Sequence, residues 1–192
     1  MPHRITLKLS IALLVLVCTA ISMRAREAAL TEEDRNLKAV TGFWEAFNRG
    51  DVPAALGFWA DPAMNAGREV PRAFVGKILE DIRTRTPDVH FAVEEMVAVK
   101  ENVIVRGEYS GTHLGVSQLP IDGGLLVGVP PTGKRFVVQH IHWFKLKNGL
   151  IRDHRATRDD LGMMIQLGLI TPPTEYQRSN SSCRNQEEEG QS

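Results

Sequence analysis

Helical periodicity up to Arg85, giving way to strand periodicity from His90, predicts an α+β fold in which helices cover one face of a curved, mostly antiparallel sheet. Three observations carry this. Apolar residues recur at three- and four-residue steps between Thr31 and Arg85. The period falls to two after Pro87. Asn148-Gly149 then separates two alternating runs, which is a specific hairpin signal.

The first helix is predicted over Thr31 to Asn48. Leu37, Val40, Trp44 and Phe47 form its apolar stripe, Thr31 with Asp34 makes a capping arrangement, and Arg49-Gly50-Asp51 ends it. A short second helix is predicted from Pro53 to Trp59, proline being favoured in a first turn. A third runs from Pro71 to Arg85, with Phe74, Val75, Ile78, Leu79 and Ile82 on its buried side, and Pro87 stops it.

Four strands follow: His90 to Val99, Val103 to His113, Phe136 to Leu146 and Leu150 to Asp159. In the third of these, Val138, His140, His142 and Phe144 share one face while Gln139 points the other way. In the last, Asp153, Arg155, Thr157 and Asp159 share a face opposite His154, Ala156 and Arg158. Leu161, Met164, Ile165 and Leu167 then return to helical spacing, and Gly168 with Pro172 and Pro173 supplies a stop. Asp159 and Asp160 stand at this junction, where a carboxylate caps a helix by accepting its orphan N–H bonds.

The chain has 192 residues, 43% hydrophobic and 24% charged, with zero formal net charge: one globular domain with extensions, and no basic excess to attract nucleic acid. Arg4 and Lys8 precede an uncharged run from Leu9 to Met23, the layout of a secretory leader, shorter than the ~20 residues that span a bilayer. Ala20 and Ser22 form a small-x-small cleavage site, so residues 1–22 are expected to be removed after Ser22 and the protein exported, secreted or periplasmic; an uncleaved leader would anchor it to a membrane. Cleavage removes Cys18 and leaves Cys183 alone, which excludes an intramolecular disulfide. The 171–192 tail, rich in Ser, Asn, Gln and Glu, has the composition of a disordered segment, so the domain is placed at 31–170.

The Ile151 to Gly168 stretch resembles the C-terminal signature of the SnoaL-like polyketide cyclases, also called the ester cyclase family. In that signature a strand carrying an aromatic residue is followed four positions later by Asp, then Leu-Gly and a helix ending Gln-Leu-Gly. Asp159, Leu161, Gly162, Gln166, Leu167 and Gly168 match it here, while Arg155 stands where many members carry Trp. FWEAFNRGD (Phe43 to Asp51), VIVRGEYSGTH (Val103 to His113), GVPPTGKRF (Gly128 to Phe136) and HIHWFKLKNGLI (His140 to Ile151) extend the likeness over most of Asp34 to Gly168.

The resemblance implies a cone of three N-terminal helices packed on a four- to six-stranded sheet around an internal pocket, as in ketosteroid isomerase and scytalone dehydratase. It implies cofactor-free chemistry, in which an Asp removes a proton next to a carbonyl and the resulting enolate closes a ring within the same substrate. Asp159 aligns with the base, leaving Asp160 as the expected cap. A carboxylate serves in this role in a dry pocket with hydrogen-bond donors aimed at the enolate oxygen. His140 and His142 are the favoured donors, with Gln139 as an alternative from the other face. Trp44, Arg106, Tyr109, His113 and Arg155 are further candidates to contact a small hydrophobic carbonyl compound. A cation at Arg155 would hold Asp159 ionised or bind an anionic substrate.

Each residue also has a plainer role: Trp44 in the core, Arg106 and Glu108 as an ion pair, the strand histidines as structural hydrogen-bonders. Two other function classes stay open on sequence. One is a non-catalytic module that binds a small apolar ligand in the cone. The other is a metal-dependent hydrolase using His140 and His142 with His113 or His154. Open sheets of this kind pair readily, so a homodimer is a further expectation.

Overall fold

A computed structural model describes residues 31–120 and 124–172; the expected leader, and the tail beyond Pro172, lie outside the described residues. Helix α1 (Glu32–Arg49) opens on a capping box in which Thr31 accepts from Asp34 N–H while the Asp34 carboxylate takes Thr31 N–H, at 3.1 Å each. It ends on Gly50, whose φ of 74° is the left-handed conformation that glycine adopts without strain. The short α2 (Val52–Leu56), capped by Asp51, is three residues shorter at its end than its sequence predicts.

Trp59 instead begins a strand, β1 (Trp59–Asn65), which turns through Ala66 and Gly67 into β2 (Arg68–Val70). Then come α3 (Arg72–Arg85), β3 (His90–Val99), β4 (Asn102–Thr112), β5 (Arg135–Lys147), β6 (Leu150–Arg158) and α4 (Asp160–Gln166). Phe74 does not join the buried side of α3: Val75 and Leu79 do, and Phe74 is 37% exposed.

All six strands form one sheet in the order β2-β1-β6-β5-β4-β3, antiparallel throughout except for the parallel pairing of β1 with β6. The strict alternation of β5 sets two unlike faces. Phe136, Val138, His140, His142, Phe144 and Leu146 point inward to the helices, where Phe43, Trp44 and Phe47 of α1 meet them. Val137, Gln139, Ile141 and Trp143 point outward. Asn48 ties helix to sheet with two bonds to the backbone of Phe91, at 2.8 and 2.9 Å. This holds the Phe91 ring stacked 4.0 Å from Trp44. Gly107 makes room for that ring, since a Cβ there would lie 2.7 Å from it and 2.3 Å from Ala92 O. Among the described residues, no helix is long and apolar enough to cross a membrane.

Candidate functional site

The inner face carries a polar cluster in an otherwise aromatic interior. The register places His142 opposite Ala156 and His140 opposite Arg158, with His154 two residues further along the same face of β6, opposite Phe144. His142 Nδ1 lies 2.9 Å from His154 Nε2, and His154 Nδ1 lies 3.0 Å from Asn65 Oδ1 at the end of β1. The two imidazole planes differ by 13° and their centroids are 5.2 Å apart, so the short nitrogen-to-nitrogen contact joins ring edges, not faces. His140 stacks on Tyr109 at 4.5 Å. Trp44 and Phe91 stand nearly perpendicular to the His142 ring, at 4.8 and 5.0 Å.

Electrostatics keep His142 and His154 neutral. Burial first, then His154, His140 and Arg158, hold His142 well below the ordinary histidine value. Burial and the Arg158 guanidinium push His154 down to about 4. A neutral imidazole has one donor and one acceptor nitrogen, so each ring offers both functions at any physiological pH. Among the described residues, the hydrogen bonds of His142 and His154 run to each other and to Asn65, not to a carboxylate.

The sequence of this chain matches the SnoaL-like polyketide cyclase profile over residues 38–167. The chain belongs to the SnoaL-like polyketide cyclase family. Its relatives include the aklanonic acid methyl ester cyclase DnrD of Streptomyces peucetius, 48% identical over 52 residues that make up 27% of this chain and 36% of that protein. The nogalonic acid methyl ester cyclase of Streptomyces nogalater is 44% identical over 52 residues, 39% of its length. These two matches thus span little more than a third of each relative. The aklanonic acid methyl ester cyclase AcmA of Streptomyces galilaeus is 29% identical over 148 residues, covering 74% of this chain and 96% of AcmA. Among solved structures, TsrD of Streptomyces laurentii superposes with a TM-score of 0.61 at 21% identity, covering 71% of this chain and 96% of TsrD. IdmH of Streptomyces antibioticus, a proposed polyketide cyclase, gives 0.57 at 25%, covering 69% of this chain and 98% of IdmH. The likeness to TsrD shows the shared cone and nothing of its chemistry.

In this SnoaL-like chain the signature that carries the resemblance is largely architectural. The exposed Asp159 is the N-cap of α4, its Oδ1 accepting from Gly162 N–H at 2.8 Å. The expected cap is therefore corrected: Asp159 takes that position, and Asp160 pairs with Arg158 at 3.2 Å. The reason lies at the boundary, because β6 ends at Arg158 and the next residue takes the cap position. A Cβ at Gly162 would lie 2.1 Å from the Asp159 carboxylate in this rotamer. Gln166 docks the far end of α4 through its side-chain amide, accepting from Val137 N–H at 2.8 Å and donating to Val137 O at 2.9 Å.

The remaining sequence candidates separate by face. Trp44, Tyr109, His140 and His142 come together inside. Gln139 lies outside and donates to Glu94 at 3.1 Å, and Arg106 on the same outer face pairs with Glu94 and Glu95. Arg155, opposite Trp143 on the outer face, pairs with Asp153 at 3.7 Å. His113 is buried at the end of β4 beside Thr132, outside the cluster. Among the described residues no three His, Cys, Asp or Glu side chains are grouped to hold a metal, so the hydrolase alternative finds no ligand set there. Asn65 and Arg158 were not singled out as site residues by the sequence, and His154 only as a metal ligand.

Proposed function

We propose that this chain is a small-molecule cyclase that forms an enolate next to a carbonyl and closes a ring by intramolecular aldol addition, without a cofactor. The observation that carries this reading is the linked pair of neutral imidazoles, His142 and His154, set among aromatic rings on the inner face. Buried polar groups cost free energy unless they are satisfied, and here they furnish donor and acceptor nitrogens in a low-dielectric interior where charge stabilisation is strong. A flat, largely apolar carbonyl substrate suits the surrounding Trp44, Phe91 and Tyr109 rings. In this reading His140, the register partner of Arg158, is the donor that stabilises the developing enolate oxygen. Two groups compete for the proton: the Asp159 carboxylate, which the family resemblance implies, and an inner imidazole. For Asp159 to serve, its carboxylate has to leave the Gly162 N–H and turn into the cone. The leader-like residues 1–22 support a working place outside the cytoplasm.

The esters named for the relatives supply the test. Aklanonic acid methyl ester and nogalonic acid methyl ester are each incubated with the purified protein in deuterated buffer and followed by mass spectrometry and NMR. The expected result is a cyclised isomer, or deuterium uptake at the acidic carbon faster than in buffer alone, lost in His142→Ala. Tight binding with neither isomer nor exchange would replace the cyclase with the binding-module reading.

A further inference from the structure

The outer face of the sheet carries large apolar side chains that the core does not bury. The register lines up Val97, Ile104, Trp143 and Arg155 as one row across β3, β4, β5 and β6, and Glu95, Arg106, Ile141 and Thr157 as the next. Trp143 is 48% exposed, Val97 48% and Ile141 46%, with Ile104 and Val99 exposed beside them. Apolar side chains exposed singly need no explanation, but a contiguous patch across strands marks a contact surface. The Trp143 indole is also fixed in advance, because its Nε1–H donates to Asn102 Oδ1 at 2.9 Å. Little side-chain freedom is then left to lose on contact.

We propose that this face docks on the same face of a second copy of this chain, the two sheets packing about 10 Å apart around a two-fold axis. Charge selects this partner. The formal net charge is zero, so two copies have no net repulsion and a polyanion finds no basic excess. The apolar row is flanked by unlike charges. On the β3 side Glu94 and Glu95 share the one guanidinium of Arg106, while on the β6 side Arg155 meets Asp153 only at 3.7 Å and its side chain is 63% exposed. A two-fold axis along the strands lays the β3 side of each copy over the β6 side of the other. The glutamates of each copy then approach Arg155 of its partner, and Ile104 of each lies across Trp143 of the other.

The edges of the sheet direct association to the face. The pairing of β3 with β4 shifts register between Val93 and Glu95, where two adjacent glutamates stand, and β2 at the other edge has three residues. Bulged, charged and short edge strands all resist the addition of a strand from another chain. Trp143, Arg106 and Arg155 are of the side-chain types that dominate binding energy in interfaces. The contact lies on the side of the sheet opposite His142 and His154, so it stands or falls independently of the cyclase reading.

Sedimentation velocity of the full chain over a wide range of concentration tests this, with circular dichroism to show that each variant is folded. The expected result is a monomer–dimer equilibrium. Trp143→Ala and Ile141→Lys each weaken it at least tenfold. Leu161→Lys, which replaces an exposed apolar residue of α4 away from this face, leaves it unchanged. Glu95→Arg and Arg155→Glu each weaken self-association, since like charges then face one another, and an equimolar mixture of the two restores the dimer, since both cross-contacts pair opposite charges. A wild-type chain that stays monomeric at every concentration overturns the proposal, as does a dimer that Trp143→Ala and Ile141→Lys leave intact. A mixture that associates no better than the two separate variants overturns the two-fold arrangement.

Discussion

The Asp159 carboxylate and the Gly162 N–H close the first turn of α4 on each other at 2.8 Å, and glycine is the residue that leaves space for that closure. Removing the cap in Asp159→Ala is expected to destabilise the fold by about 1 kcal/mol, while Asp159→Asn, an equally good cap, changes stability by only a few tenths. Chemical denaturation of the two variants beside the wild type checks the difference.

Gln166 makes a second prediction at the other end of the same helix. Its amide satisfies both backbone groups of Val137 on the exposed side of β5. Gln166→Ala should cost about 1–2 kcal/mol, and Gln166→Glu, which keeps the acceptor but loses the donor, about half of that. Hydrogen exchange at Val137 N–H should speed up in Gln166→Ala and less in Gln166→Glu.

Stability should depend on pH through the inner histidines. His154 titrates at about 4 in the fold against 6.5 for an ordinary histidine, so between these values the unfolded chain holds a proton that the folded chain refuses. Stability therefore rises with pH across that window and is lost as pH falls from 6.5 toward 4, by about 3 kcal/mol for His154 alone, with His142 acting in the same direction. Asp88 works in a lower window. Burial raises its value, but bonds from Thr112 N–H and Oγ outweigh this and bring it below the ordinary 3.8, so its contribution is lost only in stronger acid. Unfolding free energies measured at pH 7 and pH 5 should differ by a clear margin in the wild type and by less in His154→Gln.

Gly107 is the fourth position to test. A methyl group there collides with Ala92 O and the Phe91 ring, and the backbone oxygen has little freedom to yield. Gly107→Ala is expected to cost about 1–3 kcal/mol and to move Phe91 away from His142, which the ring-current shift of the His142 protons would report.

Most of the fold was legible because its signals are periodic. The alternation of β5 put Val138, His140, His142 and Phe144 on one face and Gln139 on the other, as observed. The β1–β2 hairpin was not legible, because Pro62 sits inside β1, where the register against β6 shifts, and the turn is Ala66-Gly67, without the Asn-Gly pair that marks β5–β6. With β1 hidden, Asn65 could not be placed beside His154. The cap fell to Asp159 and not to Asp160 because it lies one residue past the end of a strand, a distance that periodicity does not resolve. The matched signature drew attention to α4, whereas the linked His142, His154 and Asn65 lie on β5, β6 and the end of β1.

The most direct measurement is the turnover of Asp159→Asn on aklanonic acid methyl ester, set beside wild type and His142→Gln. Cyclised product from the wild type is the result that the cyclase reading predicts, and the variant that loses it tells which of the two groups takes the proton. A wild-type protein that folds and binds the ester but yields neither cyclised product nor deuterium exchange would contradict it.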